Sequence, residues 1–357
     1  MTNTVDQSFA PYREAAAYLK SLLEEASAPL PVVGIICGSG LSGLSKTLSD
    51  AIVVDYSSIP GFPDHCSVAG HKGELVFGTM ASGIVPTVCL RGRFHSYEGH
   101  DMNTVALPVR VMRCLGVKLL LVTNAAGGLN PDYNVGDIVN ISDYFALPML
   151  AGNNPLVGPN DDELGPRFPP TSNAFDPDLQ EICTKAASTL GFSDFVRENG
   201  TYCFVSGPMY ESKAECRFLR SIGGDSVGMS TVPEIVAAHH CGVRVMCLSL
   251  ITNKVIVTGD EGPAASHGEV LDAVNKRSEQ IQSLVKEVVE LLSSSGYIAK
   301  IPDLPAVDLS LKADGSSKKS CLCPFNAALN APGHCITMGC AMIAIGVIAG
   351  QMVLKRG

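Results

Sequence analysis

Residues 32–40 read Val-Val-Gly-Ile-Ile-Cys-Gly-Ser-Gly. An uncharged apolar run without polar alternation suits a strand covered by helices on both faces, and the glycine-serine-glycine that follows ends it in a turn. The pattern repeats outward. Candidate strands are Val32–Cys37, Leu75–Phe77, Val85–Leu90, Leu119–Thr123, Ile138–Ile141, Tyr202–Ser206, Ser226–Met229 and Val243–Leu250. Between and around them lie helical patterns at Tyr12–Ala26, Asn103–Leu115, Asp178–Leu190, Lys213–Ile222, Val232–Cys241 and Glu269–Leu292. Strands alternating with helices place the chain in the α/β class, with a largely parallel sheet between helices.

The helix ends carry local signals. Asp176-Pro177 reads as an N-cap followed by a first-turn proline. Ser212 with Glu215, and Thr231 with Glu234, have the spacing of a capping box. Gly116, Gly191, Gly223 and Gly242 follow their helices as C-terminal caps. One domain over about residues 1–297 is expected, with a linker at 298–334.

Composition narrows the function. The chain has 357 residues, 35 acidic against 26 basic side chains and a net charge of −9, which argues against nucleic acid as a partner. Of the 13 cysteines, several sit inside apolar runs (Cys37, Cys89, Cys247), as buried free thiols of a reducing compartment do. The N-terminus lacks a secretory signal, so a cytoplasmic body is expected. No cysteine–histidine spacing suits a metal.

The text changes after Ile301 to a Pro-, Ser- and Ala-rich stretch. Residues 335–354 are then almost continuously apolar and end on Lys355-Arg356-Gly357. Twenty such residues span about 30 Å as a helix, so a C-terminal membrane anchor and a loosely docked apolar tail are both open.

In a parallel α/β sheet, ligands bind beyond the carboxyl ends of the strands. Gly38-Ser39-Gly40 follows the first strand, and Arg91-Gly92-Arg93-Phe94-His95 follows Val85–Leu90. Asn124 to Gly128, Ser230-Thr231 and Thr252-Asn253-Lys254 follow three more. Together they offer hydroxyls, glycine-exposed amides, an arginine and a histidine, a set suited to an oxyanion such as phosphate. The glycines match neither a Walker loop nor a dinucleotide fingerprint.

ICGSGL (36–41), GRFHSYEG (92–99), TNAAGGLNP (123–131), VGPND (157–161), GPRFP (165–169), GPMYESKAE (207–215), VGMSTVPE (227–234) and LITNKV (250–255) together resemble the trimeric purine nucleoside phosphorylases. The resemblance runs in order from about residue 30 to 290. It implies the nucleoside phosphorylase fold, a single domain around a central mixed, largely parallel twisted sheet. It also implies phosphorolysis of inosine and guanosine, the 6-oxopurine (deoxy)ribonucleosides, to free base and (deoxy)ribose 1-phosphate in purine salvage.

By the same resemblance, phosphate is held by Ser39, His71, Arg93, His95, Ser230 and the Ala125 backbone. Asn253, Glu211 and His95 form the catalytic set. Glu211 and Asn253 read the base, and Tyr210, Gly228 and Thr252 complete its pocket. Tyr97, Met229 and His267 face the ribose. Phe168 reaches into a neighbouring subunit's site, so a homotrimer is implied. Phosphate is a co-substrate, with no metal or organic cofactor. Three features depart from the family: Arg91 where glutamine is usual, Tyr210 where phenylalanine is commoner, and a Gly/Pro-rich stretch at 258–266. A 5′-methylthioadenosine phosphorylase and a non-catalytic nucleoside-binding homologue are the alternatives; Asn253 argues against the first and the intact phosphate set against the second.

Overall fold

The computed structural model describes residues 9–310, apart from 65, 69 and 258–266. Nine strands form the sheet: β1 (Val33–Cys37), β2 (Ser49–Asp55), β3 (Glu74–Met80), β4 (Val85–Arg91), β5 (Leu119–Gly128), β6 (Ile138–Ala146), β7 (Val196–Phe204), β8 (Ser226–Gly228) and β9 (Arg244–Lys254). Their order is β2-β3-β4-β1-β5-β8-β7-β6-β9, with β9 pairing back to β5. Half of the sheet is therefore closed into a five-stranded barrel and the other half is open. The β1–β4, β1–β5, β5–β9, β6–β7 and β7–β8 pairs are parallel, and the remaining four are antiparallel.

Helices α1 (Ala10–Glu25), α2 (Met102–Leu115) and α6 (Val232–His240) bury their apolar stripes against one face. On the other lie α4 (Pro177–Thr189) and α7 (His267–Ser294), with Leu179, Cys183, Val274, Leu284 and Val288 in the core they share with β1. The short helices α3 (Leu147–Leu150) and α8 (Tyr297–Lys300), and α5 (Lys213–Ser221), complete the set.

The expected helix ends hold at most positions. Asp176 caps α4 through the N–H groups of Asp178 and Leu179. Ser212 and Glu215 form the reciprocal box on α5. Gly116, Gly191, Gly223 and Gly242 all take positive φ. The box expected at Thr231–Glu234 does not form: Thr231 makes no side-chain cap and sits at φ 78°. Both side chains are turned to Arg93 instead, as described below.

Several strand assignments change. The Ser49–Asp55 strand is absent from the sequence reading because it is a sheet edge, with Val54 its one buried residue and Val53 53% exposed. Strand β7 begins at Val196, through a polar VREN start, and ends at Phe204 rather than Ser206. Strands β5 and β9 run on to Gly128 and Lys254, past the expected ends at Thr123 and Leu250. Barrel closure supplies backbone partners for these extra residues, Gly127 facing Asn253 and Gly128 facing Lys254. The polar groups expected in loops there are held on strands.

Residues 301–310, read from composition as part of a linker, lie along the body. Ile301 is buried, and Leu304, Val307 and Leu309 pack on the core. Arg113 donates to the Pro305 carbonyl and Arg13 to that of Asp308. The apolar stretch at 335–354 lies outside the described residues. Among the described residues no helix is long and apolar enough to cross a membrane.

Candidate active site

A cleft of about 410 Å³ opens where β1, β4, β5, β8 and β9 end. Its walls include Ser39, Arg93, His95, Tyr97, Ala125, Tyr210, Glu211, Met229, Ser230, Thr252 and Asn253, with Gly228 between them. Strand ends far apart in sequence therefore do converge: β4, β1, β5 and β9 run parallel and share the end at which the chain leaves them, and β8 meets that end antiparallel to β5 at Gly127 and Gly128.

Arg93 organises one part of the cleft. It is 2% exposed, and its Nε donates to Glu234 Oε1 at 3.1 Å in an ion pair whose two members are equally buried. Its Nη1 donates to Ser230 Oγ (2.9 Å) and Thr231 Oγ1 (3.2 Å). Its Nη2 is buried with no hydrogen-bond partner among the described residues. A desolvated guanidinium nitrogen left unpaired at a cleft wall is a slot for an anion, since burial without a partner costs free energy that a bound oxygen would recover. Thr231 Oγ1 also accepts from Asn124 Nδ2 (3.0 Å), which holds the residue in its left-handed backbone conformation at a cost of about 1–3 kcal/mol.

Two histidines flank this slot. Nδ1 of His71 faces the Arg93 carbonyl at 3.1 Å, and a carbonyl can only accept, so Nδ1 carries the hydrogen. Burial above all, then the neighbouring His95 and Arg93, drive His71 down to about 3. The ring is thus neutral near pH 7, and its Nε2 accepts the Ser39 hydroxyl at 3.1 Å. His71 stands behind Ser39 rather than in the cleft wall. His95 is lowered too, chiefly by burial. Its Nδ1 donates to Glu98 Oε1 at 2.9 Å and its ring stacks on Tyr97 with centroids 4.6 Å apart. Burial raises Glu98, but hydrogen bonds from His95 and Ser67 outweigh it and bring the carboxylate to about 2.

The remaining part of the cleft holds Glu211 and Asn253. Burial above all, then the neighbouring Glu215, raises the Glu211 carboxyl, and a hydrogen bond from its own backbone opposes the rise. The Thr252 hydroxyl lies within hydrogen-bond distance of both the Ala126 carbonyl (3.3 Å) and the Asn253 amide (3.1 Å), and the amide brings a donor to the cleft. A carboxylate acceptor and an amide donor in one semi-enclosed cleft can read the edge of a heteroaromatic base. Met229 closes this region from the side, near Gly207 and Tyr97.

Residues 32–290 match the model of the phosphorylase superfamily. Purine nucleoside phosphorylase of Bos taurus is 46% identical over 286 residues, covering 80% of this chain and 96% of that protein. The chain belongs to the purine nucleoside phosphorylase family. The solved structure of the Schistosoma mansoni purine nucleoside phosphorylase in complex with inosine superposes with a TM-score of 0.74 at 43% identity, over 80% of this chain and 98% of that one. The same enzyme in complex with adenosine gives a TM-score of 0.74 at 43% identity, over 81% and 99%.

Against that family background, Phe168, like His71, does not line this chain's cleft, and His267 cannot be placed in it. Phe168 stands 87% exposed beside Arg167. His267 opens α7, and its side chain is outside those described, as is the stretch 258–266. Arg91, which stands where the family usually has glutamine, pairs with Glu74 at 2.5 Å and is not part of the cleft wall. Two residues that support the site escaped the sequence reading, Glu98 and Glu234; Asn124 and Thr231 belonged to the expected strand-end set, and the structure gives them the role of bracing Arg93. Glu98 follows His95 at i+3 on a short 3-10 turn, a spacing that could have flagged it. Glu234 was masked by its resemblance to a cap.

Proposed function

We propose that the chain cleaves the N-glycosidic bond of 6-oxopurine ribonucleosides and deoxyribonucleosides with inorganic phosphate, releasing the free base and (deoxy)ribose 1-phosphate. The observation that carries this reading is Arg93: a buried guanidinium with an unpartnered Nη2 lines the same cleft as Glu211 and Asn253. An anion slot beside a base-reading pair is what attack of phosphate on a nucleoside requires.

In this mechanism Arg93 supplies fixed positive charge, while Ser39, Ser230 and the Ala125 backbone orient the phosphate oxygens. His95, its Nδ1 committed to Glu98, offers Nε2 to a protonated phosphate oxygen. A phosphate oxygen forms the new bond at C1′ as the C1′–N9 bond breaks, and the electron pair passes into the purine. Asn253 Nδ2 donates to N7, where that charge collects, and Glu211 accepts from N1–H. The Asn253 contact strengthens as the base becomes anionic, so it favours the transition state over the ground state, while Glu211 fixes the orientation of the base. Tyr97, Met229 and His267 hold the ribose, with Tyr210 and Thr252 around the base. No metal or organic cofactor takes part in these steps.

The preference for inosine and guanosine over adenosine rests on the Asn253 amide. Asn253→Asp replaces the N7 donor by a group that must first take a proton. The variant is expected to turn over inosine and guanosine more slowly and to use adenosine relatively better, read as the ratio of kcat/KM values. An unchanged ratio would refute the assignment.

A homotrimer is part of this reading, supported by Phe168, whose exposed ring suits a neighbouring subunit's cleft. Sedimentation at three chain masses is expected, and a monomer with full activity overturns it. The nine free thiols among the described residues support a cytosolic body, which cell fractionation would test by its release into the soluble fraction.

A further inference from the structure

Glu74 opens β3 and Arg91 closes β4, and the two face each other as the last rung of that antiparallel ladder. Arg91 Nη1 donates to Glu74 Oε2 at 2.5 Å, with side chains only 13% and 20% exposed. Beyond this rung the chain runs one way to Gly73, Lys72 and His71, and the other way to Gly92 and Arg93. The Arg91 carbonyl accepts the N–H groups of Lys72 (3.0 Å) and Gly73 (2.9 Å). Gly92, at φ +118°, packs so tightly that a Cβ there would meet that of His71 at 2.9 Å. The two strands then meet again at the His71 Nδ1 bond to the Arg93 carbonyl.

We propose that the Glu74–Arg91 ion pair is a positioning device for the anion site, fixing the rung from which His71 and Arg93 both depart. Neither side chain lines the cleft. Their effect is exerted through the Ser39–His71 hydrogen bond and through the backbone that carries the Arg93 guanidinium. A half-buried, short, charge-assisted contact can hold such a rung where an exposed pair could not. The proposal rests on the phosphorolysis reading for its kinetic form.

The competing explanation is that Arg91 merely adds positive potential near the phosphate. Glu74→Gln separates the two. It breaks the ion pair and leaves the Arg91 charge unneutralised, so simple attraction predicts a lower KM for phosphate. Positioning predicts a KM for phosphate raised about tenfold, with KM for inosine and kcat at saturating phosphate within about twofold of the parent. The exchange variant Glu74→Arg/Arg91→Glu restores the pair with its polarity reversed and is expected to recover most of the loss. A folded Glu74→Gln protein whose phosphate KM is unchanged or lower overturns the proposal, as does a folded exchange variant no better than Glu74→Gln. If the parent proves not to need phosphate, the phosphorolysis reading fails first. The device is then read from the ring nitrogen-15 shifts of His71, which are expected to move in Glu74→Gln and return in the exchange variant. Shifts identical to the parent's in Glu74→Gln overturn it.

Discussion

Arg93→Ala is expected to lower kcat/KM for phosphate by about 10²- to 10³-fold, the scale for losing a preorganised charged donor, and to destabilise the fold as well. Arg93 is the ion-pair partner of Glu234, and both are 2% exposed. Removing one member of a buried pair strands the other, at about 3–5 kcal/mol. The pH dependence follows from the same geometry. Burial already raises the Glu234 carboxyl, and Arg93, helped by the Thr231 backbone, opposes that rise. In the variant the folded-state pKa climbs further above the unfolded one. Folding then takes up a proton, so the loss of stability is small in acid and grows as pH rises through the folded pKa. Urea unfolding of parent and variant at acid and at mildly alkaline pH measures it. Equal stability of the two proteins at alkaline pH would show that Glu234 is not held by Arg93.

Glu211→Ala is expected to cost about 2–4 kcal/mol of transition-state stabilisation, about 30- to 1,000-fold in kcat/KM for inosine, because it leaves donors on the bound base unpaired in a desolvated cleft. Phosphate KM should change little, since Glu211 belongs to the base-reading part of the cleft. The carboxylate form is the one that accepts, and burial raises its pKa. The acid limb of kcat/KM for the nucleoside should therefore lie above that of a solvent-exposed glutamate, and it should vanish in the variant. A loss below about tenfold would count against Glu211 as a base ligand.

Much of the site was legible because α/β topology concentrates ligand groups at one end of the strands. Ser39, Arg93, Ala125, Ser230 and Asn253 each follow an apolar run, and all five line the cleft. Barrel closure was not legible: it depends on the β5–β9 pairing across more than a hundred residues, and nothing local in TNAAGG or LITNK announces it. For the same reason Asn124 read as a loop residue, although its side chain braces Thr231 from a strand. The Thr231–Glu234 pair shows the converse. Its spacing satisfies a local rule, yet a buried arginine competes for both side chains, and the tertiary ion pair wins over the cap. His71 could be assigned only by resemblance, because its neutral state and its hold on Ser39 follow from a burial that AGHKGE does not reveal. Edge strand β2 lacked the buried face on which pattern reading depends.

The central claim is that an anion in the Arg93 slot attacks a nucleoside held by Glu211 and Asn253. The most direct measurement is hypoxanthine release from inosine by the purified full-length chain, with and without inorganic phosphate, with ribose 1-phosphate measured in the same samples. The account predicts release only with phosphate, and one ribose 1-phosphate formed for each base. Release that proceeds unchanged without phosphate, or yields free ribose, would contradict it.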